Sequence, residues 1–161
     1  MKNFVLIVII AFGLACSSFV ALAQSPQDKV DFGPKETLSV VSNDKTHTFT
    51  IEVADTPTEL AYGMMFRDEI APDEGMLLEF GEERIASIWM KNTSVFLDVI
   101  FVRADGRILK IEHSAKPYSL RSMTSEALVT GVLEIAGGQA HALGIQPGDK
   151  VQHSYFSTAP E

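Results

Sequence analysis

Short apolar segments separated by turn-forming residues are the feature that most restricts the fold of this chain. In residues 47–53, Phe49, Ile51 and Val53 alternate with polar side chains, which is typical of a strand with one buried and one exposed face. Asp105-Gly106, a dipeptide typical of tight hairpin turns, separates two other segments. The segments predicted as strands are 47–53, 75–80, 86–90, 97–102, 107–112, 129–136 and 150–156.

Two short helices are predicted between these strands. Thr56, Pro57 and Glu59 match a capping box, in which Thr56 accepts from the Glu59 amide while Glu59 reaches back. Gly63 is expected to end this helix in a left-handed conformation, and a second helix is predicted over 138–143. Because alternating βαβ units are absent, we expect an α+β, β-rich fold: one compact domain with a partly closed, barrel-like sheet of about seven short strands.

The N-terminus has the organisation of a secretory signal peptide. Lys2 precedes an apolar stretch over 4–20, and Ala21-Leu22-Ala23 then places small residues where signal peptidase requires them. We therefore expect cleavage before Gln24 and export to the periplasm or the extracellular space. One alternative is a retained membrane anchor, since the apolar stretch approaches the length that spans a bilayer. Another is a lipoprotein modified at Cys16, although a glycine stands three positions earlier, where a branched apolar residue is expected.

Removal of residues 1–23 leaves one domain-sized chain with no cysteine, so disulfides and thiolate chemistry are not expected. We predict a flexible linker over 24–36, a globular domain over 37–156 and a tail over 157–161. The whole chain has a formal charge of −8, and cleavage makes it more acidic because Lys2 is lost. Since an acidic domain repels phosphate backbones, no nucleic-acid partner is expected. After cleavage we expect a monomer without stable membrane insertion.

Residues 87–101, SIWMKNTSVFLDVIF, join the only tryptophan to a polar turn and an apolar strand that contains Asp98. A buried carboxylate needs donors or a cation, so we expect Asp98 to accept hydrogen bonds from the turn at 91–93. That structural role is favoured, because most buried polar groups are satisfied internally. The alternative is a pocket that holds a small molecule against an aromatic wall. Its predicted lining is Trp89, Met90, Lys91, Asn92, Thr93, Asp98 and Glu134.

Three segments carry a resemblance to a known family: ADTPTELAYGMMFRDEIAPDEGMLLEF, IWMKNTSVFLDVIFVRADGRI and LEIAGGQAHALGIQPGDKV. They resemble the domain of unknown function 192 family, and the resemblance covers residues 47–152. Membership implies a small β-rich domain that is often exported in bacteria, with no settled activity. The chain departs from the family pattern at Leu60, where relatives usually carry an arginine.

Three functions from different classes remain open, and whether the protein is an enzyme is one of the open points. The sequence favours an exported accessory or ligand-binding module with a pocket near Trp89 and Asp98. The first alternative is an extracytoplasmic enzyme that uses Asp98 with Glu134 or His113 on a small substrate. The second is a copper-binding protein, because thioethers suit Cu(I), although core packing is the favoured role for its methionines: Met64, Met65, Met76 and Met90.

Other signals of chemistry are missing from the sequence. The four histidines do not follow a metal-binding spacing, and neither a G-x-S-x-G elbow nor a glycine-rich phosphate loop occurs. No metal or cofactor is therefore predicted.

Overall fold

The structure is a computed structural model that describes residues 30–156. The predicted signal peptide over 1–23, the first part of the predicted linker and the tail over 157–161 lie outside the described residues. In chain order the elements are β1 (Glu36–Ser42), β2 (Lys45–Ala54), α1 (Pro57–Tyr62), β3 (Glu74–Ile88), β4 (Leu97–Val102), β5 (Ile108–Ala115), β6 (Met123–Ala136), α2 (Gln139–Leu143) and β7 (Lys150–Gln152).

The strands form one curled sheet in the order β5-β4-β6-β3-β2-β1-β7. Neighbouring strands are antiparallel except β2 and β3, which run parallel. A bridge between Arg107 and Lys150 brings the two edges of the sheet together at one end. The sheet is therefore a half-barrel, and the predicted β-rich α+β fold is confirmed.

Alternation along the central strands divides the apolar core into two clusters, one on each face of the sheet. On β6, Leu133 and Ile135 belong to the first cluster, while Val132 belongs to the second. β4 is buried along its whole length. Because both of its faces are covered, this strand has a continuous apolar sequence with Asp98 as its only polar residue.

Both predicted helices are present. At the start of α1, the Glu59 amide donates to the Thr56 hydroxyl over 3.3 Å, and the Thr56 amide donates to the Glu59 carboxylate over 2.9 Å. Gly63 follows the helix, as predicted, and its amide donates to the Glu59 carbonyl. Its φ of 49° is positive, but its ψ of −134° differs from the left-handed helical conformation that we expected. α2 ends at Gly144, which does adopt that conformation.

The strand predictions differ from the structure in three places. The segments 75–80 and 86–90 fall on one long strand, β3, which ends at Ile88, because bulges opposite β6 interrupt the alternation without ending the pairing. β1 was not predicted. Residues 150–156 do not form one strand: β7 ends at Gln152, and a 3₁₀ turn then places Phe156 in the core.

Part of the predicted linker contacts the domain. Phe32 is partly buried, and its ring centroid lies 6.3 Å from that of Tyr62. The Arg67 guanidinium lies 5.6 Å from the centre of the same ring. Phe32 therefore packs beside α1 and the loop that follows it. Among residues 30–156, no helix is both long and apolar enough to cross a membrane.

Candidate functional site

A cavity of about 290 Å³ lies between α1, the end of β3 and one face of the sheet. Most of its described lining residues are apolar or aromatic, and Glu134 supplies the only carboxyl group among them. The cavity is lined by Leu60, Ala61, Tyr62, Gly63, Met64, Met65, Leu78, Ser87, Ile88, Trp89, Thr93 and Glu134.

Glu134 is a buried acid without a hydrogen-bond partner for one of its oxygens. It lies on β6 opposite Met76 of β3 and Val99 of β4, and only 4% of its surface is exposed. Its Oε2 atom accepts no hydrogen bond from any described residue. Burial raises the pKa of this carboxyl to about 7, against the opposing charge of Arg67. Near neutral pH the group is therefore present in both its charged and its neutral form.

The end of α1 closes the cavity above Glu134. A Cβ atom at Gly63 would lie 3.9 Å from Glu134 Oε2, so the helix end passes close to the carboxyl. The positive φ of Gly63 makes this path accessible mainly to glycine. The amide of Gly63 stays bonded to the helix, which leaves the carboxyl facing the cavity without that donor.

The turn after β3 holds Trp89 at the rim of the cavity. Thr93 is buried, and its hydroxyl donates to the Lys91 carbonyl over 3.2 Å. The amide of Phe66 donates to the Asn92 carbonyl over 2.8 Å, and the amide of Tyr118 donates to the Thr93 carbonyl over 3.0 Å. The turn is therefore bonded to the loop after α1 on one side and to the loop after β5 on the other.

Three of the seven described residues other than glycine with a positive φ lie in or beside this turn. Phe66, Asn92 and Tyr118 have φ values of 61°, 55° and 59°, in the left-handed region that side-chain-bearing residues seldom adopt. Such conformations persist only where the surrounding structure holds them, and they cluster at functional sites. In this chain two of the three residues donate the amide hydrogen bonds that connect the turn to its neighbouring loops.

Asp98 does not line the cavity. It lies on β4 opposite Ile135, whereas Glu134 lies opposite Val99. Directly paired residues share a face of the sheet, and successive residues alternate between faces. Asp98 and Glu134 therefore project from opposite faces, which separates the two carboxyl groups that the enzyme hypothesis would combine.

The hydrogen-bond donors to Asp98 also differ from those predicted. Its Oδ1 accepts from the amides of Ser114, over 2.7 Å, and Gly138, over 3.0 Å. Its Oδ2 accepts from the amide of Ala140 over 2.8 Å. The expectation that the turn at 91–93 supplies these donors was wrong, because the carboxylate points to the face where α2 begins. What held was the requirement that a buried carboxylate receive donors.

Three of the predicted pocket residues line the cavity: Trp89, Thr93 and Glu134. Met90 instead is buried in the second core cluster. Lys91 is exposed, with its ammonium group 5.3 Å from the centre of the Trp89 ring. Asn92 is also exposed, and its side-chain amide donates to the sulfur of Met65 over 3.8 Å.

The sequence matches the family model of DUF192, whose description is "Uncharacterized ACR", over residues 39–153. The chain belongs to the DUF192 family. This finding confirms the resemblance seen in the sequence, and it brings no activity with it.

The solved structures that are similar to this DUF192 chain include the following two. One is described as a putative transcription regulator from Sinorhizobium meliloti 1021, with 38% identity, a TM-score of 0.74, and coverage of 77% of this chain and 96% of the other. The second is a protein of unknown function from Novosphingobium aromaticivorans DSM 12444, with 39% identity, a TM-score of 0.72, and coverage of 74% and 85%. Among curated proteins, none matches the sequence.

The contribution of α1 to the DUF192 site was missed in the sequence. Leu60, Ala61 and Tyr62 line the cavity from the end of the helix, and Met64 lines it from the turn after Gly63. Because α1 ends before Met64, no helical periodicity joins these residues, and the sequence carries no local signal that would have included them. Leu60 is also the position at which the sequence departs from the family pattern.

The remaining candidate residues lie away from the cavity or in its walls. His113 is exposed on β5 and does not line the cavity. Met64, Met76 and Met90 are buried in the second core cluster, where thioethers fill irregular apolar space. Within residues 30–156, no group of three or more His, Cys, Asp or Glu side chains is arranged to hold a metal ion.

A second cavity, of about 510 Å³, adjoins the first on the far side of α1. Tyr62 and Met65 line both cavities. Arg67 lines only the second, where its guanidinium donates to the carboxylate of Glu52. Arg67, the cation whose charge acts on the Glu134 pKa, is therefore already paired with the carboxylate of Glu52.

Proposed function

We propose that this DUF192 protein is an exported module that binds a small molecule beside Trp89, with Glu134 as the polar anchor. The unpartnered Glu134 carboxyl in the cavity wall carries this proposal. A buried polar group without a partner costs about 1–3 kcal/mol. A ligand that supplies the missing partner recovers that free energy, and no described side chain does so.

The size and lining of the cavity support a small ligand with an apolar body. About 290 Å³ is at the lower end of the volumes of small-molecule sites. Leu60, Leu78 and Trp89 offer apolar and aromatic surface, while Thr93 and Glu134 offer polar atoms. A wall built mostly from apolar and aromatic residues, with a few polar side chains, is the usual composition of such sites.

Trp89 provides a direct test, because it is the only tryptophan of the chain and lines the cavity. In a screen of small organic compounds, we expect binders to raise the melting temperature and to change the tryptophan emission together. Leu60→Phe, which fills the cavity, should abolish both responses. Leu120→Phe makes the same change at an exposed residue outside the cavity and should preserve them. Responses that survive in Leu60→Phe would contradict the assignment of the site.

The description of the Sinorhizobium meliloti protein raises DNA binding as a different function. This chain has a formal charge of −8, and a DNA-binding surface needs cationic side chains to neutralise phosphates. We therefore propose that the partner is a small molecule bound by a monomer, and not nucleic acid. Salt-sensitive binding to duplex DNA would contradict this choice.

Export is part of the proposal because the N-terminus has the features of a cleaved signal peptide. Mass spectrometry of the extracytoplasmic protein should detect a chain that begins at Gln24. Full-length protein retained in membranes would instead support an anchor.

An enzyme that uses Glu134 is the second candidate function. A carboxyl with a pKa near 7 in a cavity is suited to general acid–base catalysis near neutral pH. Neither Asp98, on the opposite face, nor the exposed His113 would assist it. Such an activity should change with pH through about 7 and should be lost in Glu134→Gln. Turnover that persists in this variant would exclude Glu134 as the catalytic acid or base.

A further inference from the structure

We propose that the ligand of this cavity is a small organic cation, an ammonium group on a short apolar body, which pairs with the carboxylate of Glu134. This inference rests on the proposed small-molecule function and names the chemical class of the ligand. Oε2 of Glu134 is buried and has no described partner, and an ammonium group supplies both a donor and the opposite charge.

The wall of the cavity suits a cation. Trp89 and Tyr62 contribute aromatic rings, whose faces attract cations. The thioethers of Met64 and Met65 are polarizable and contact apolar groups well. Among the described lining residues there is no lysine, arginine or histidine, so no side chain of the wall itself competes for the carboxylate.

The surrounding charges favour the same ligand class. Arg67, whose field reaches Glu134, already donates to Glu52 of β2. On the rim, the ammonium of Lys91 lies 5.3 Å from the centre of the Trp89 ring, so this ring already attracts a cation, while the charge of Lys91 itself opposes a second one. The formal charge of −8 on the whole chain raises the local concentration of cations and repels anions.

Binding of a cation must depend on the protonation of Glu134. A cation prefers the ionised carboxylate, so its affinity rises as pH rises through the pKa of about 7. Below that pH the carboxyl is mostly neutral, and only the ionised fraction is competent to bind. A neutral ligand of the same shape lacks this dependence.

Butylammonium and 1-butanol test the proposal, because they have similar shapes and both donate hydrogen bonds, but only the first is charged. At pH 8, calorimetry or tryptophan emission should show that butylammonium binds at least about tenfold more tightly than 1-butanol. Since the Glu134 pKa is about 7, the affinity for butylammonium should fall towards that for 1-butanol, by up to about thirtyfold, between pH 8 and pH 5.5. Butyrate, the anionic control, should not bind.

Matched variants assign the effect to one carboxyl. Glu134→Gln should lower the affinity for butylammonium to that for 1-butanol and remove the pH dependence. Glu79→Gln replaces a partly buried acid with a pKa of about 7, on the opposite face beside His153, and should leave binding unchanged. Lys91→Gln is an exposed change that removes a repelling charge, so it should strengthen butylammonium binding even if Glu134→Gln fails to fold.

The outcomes separate this inference from the proposed function. If butylammonium and 1-butanol bind equally and Leu60→Phe blocks both, the ligand is not selected as a cation, but the small-molecule site is supported. Preferential binding of butyrate would overturn the cation in the same way. If none of the three compounds binds, the assignment of a cationic ligand is contradicted. The broader compound screen then tests the small-molecule site independently.

Discussion

At the scale of single residues, Asp98 joins three segments of the fold. Its carboxylate accepts from amides 16, 40 and 42 positions away, at the bulge of β5 and the start of α2. Asp98→Asn places an amide nitrogen against at least one of these donors. We expect it to lower the free energy of unfolding by about 1.5–3 kcal/mol, and Asp98→Ala to lower it further.

Urea midpoints of both variants beside the wild type would measure this loss. Asp105→Asn makes the same change at an exposed turn residue and should have a smaller effect. A stabilised Asp98→Asn protein would contradict the structural role, because functional residues are often retained at a cost in stability.

The sequence predicted that Asp98 needs hydrogen-bond donors, but it did not predict which groups donate to it. A carboxylate between Leu97 and Val99 in an apolar strand must receive donors, and this follows from local sequence alone. The donors come from amides of β5 and α2, whose positions depend on strand pairing. In the same way, the sequence placed Glu134 in the predicted lining of the pocket, whereas its missing partner is visible only in three dimensions.

At the scale of elements, the end of α1 determines how the chain passes over Glu134. Gly63→Ala forces a side chain into a conformation with φ of 49°, so we expect a loss of about 1 kcal/mol, and more for Gly63→Val. The added methyl would also lie 3.9 Å from Glu134 Oε2 and should change the emission of Trp89. Thermal unfolding and fluorescence measure the two effects.

Gly81→Ala, in β3, is the matched control for Gly63→Ala. Gly81 has a φ of 72°, and a Cβ there would meet no atom within 4 Å. It should therefore show a similar loss of stability without a change in tryptophan emission. An unchanged melting temperature in both Gly63 variants would show that the helix end does not need glycine.

Elements with local signals were predicted better than elements defined by pairing. α1 was predicted because its capping box lies within four residues, Thr56 to Glu59. β1 was missed, although Leu38 and Val40 alternate with more exposed residues, and Asn43-Asp44 forms the turn to β2 with positive φ at both positions. β3 is one continuous strand because β6 pairs with it on both sides of the bulges, and the sequence of β3 alone does not show this pairing.

At the scale of the whole molecule, the fold class followed from the strand pattern, but the strand order did not. β2 pairs in parallel with β3, and β6 lies between β3 and β4, so neighbours in space are not neighbours in sequence. The cavity exists only because this order brings α1, Trp89 and Glu134 to one face of the sheet. A segment-by-segment interpretation therefore located Trp89 and Glu134 but placed Asp98 on the same side.

Two acids with raised pKa values should give the whole molecule an unusual dependence of stability on pH. Burial raises the pKa values of Glu134 and Glu79 from 4.5 to about 7, on opposite faces of the sheet. The folded state then binds more protons than the unfolded state between these values. Their stabilising contribution is complete below pH 4.5 and is lost as pH rises through 7, with Glu134 contributing on the order of a few kcal/mol.

We therefore expect the free energy of unfolding from urea titrations to fall between pH 5 and pH 8. Carboxyls with lowered pKa values, such as Glu112 beside Arg121, lose their contribution only at lower pH and stay ionised across this window. The decisive quantity is each variant's difference from wild type, because the groups that the variants share cancel in that difference. Glu134→Gln and Glu79→Gln should each reduce the slope, and their effects should add, since the two side chains project from opposite faces. Stability that declines just as steeply in the double variant would show that other groups cause the dependence.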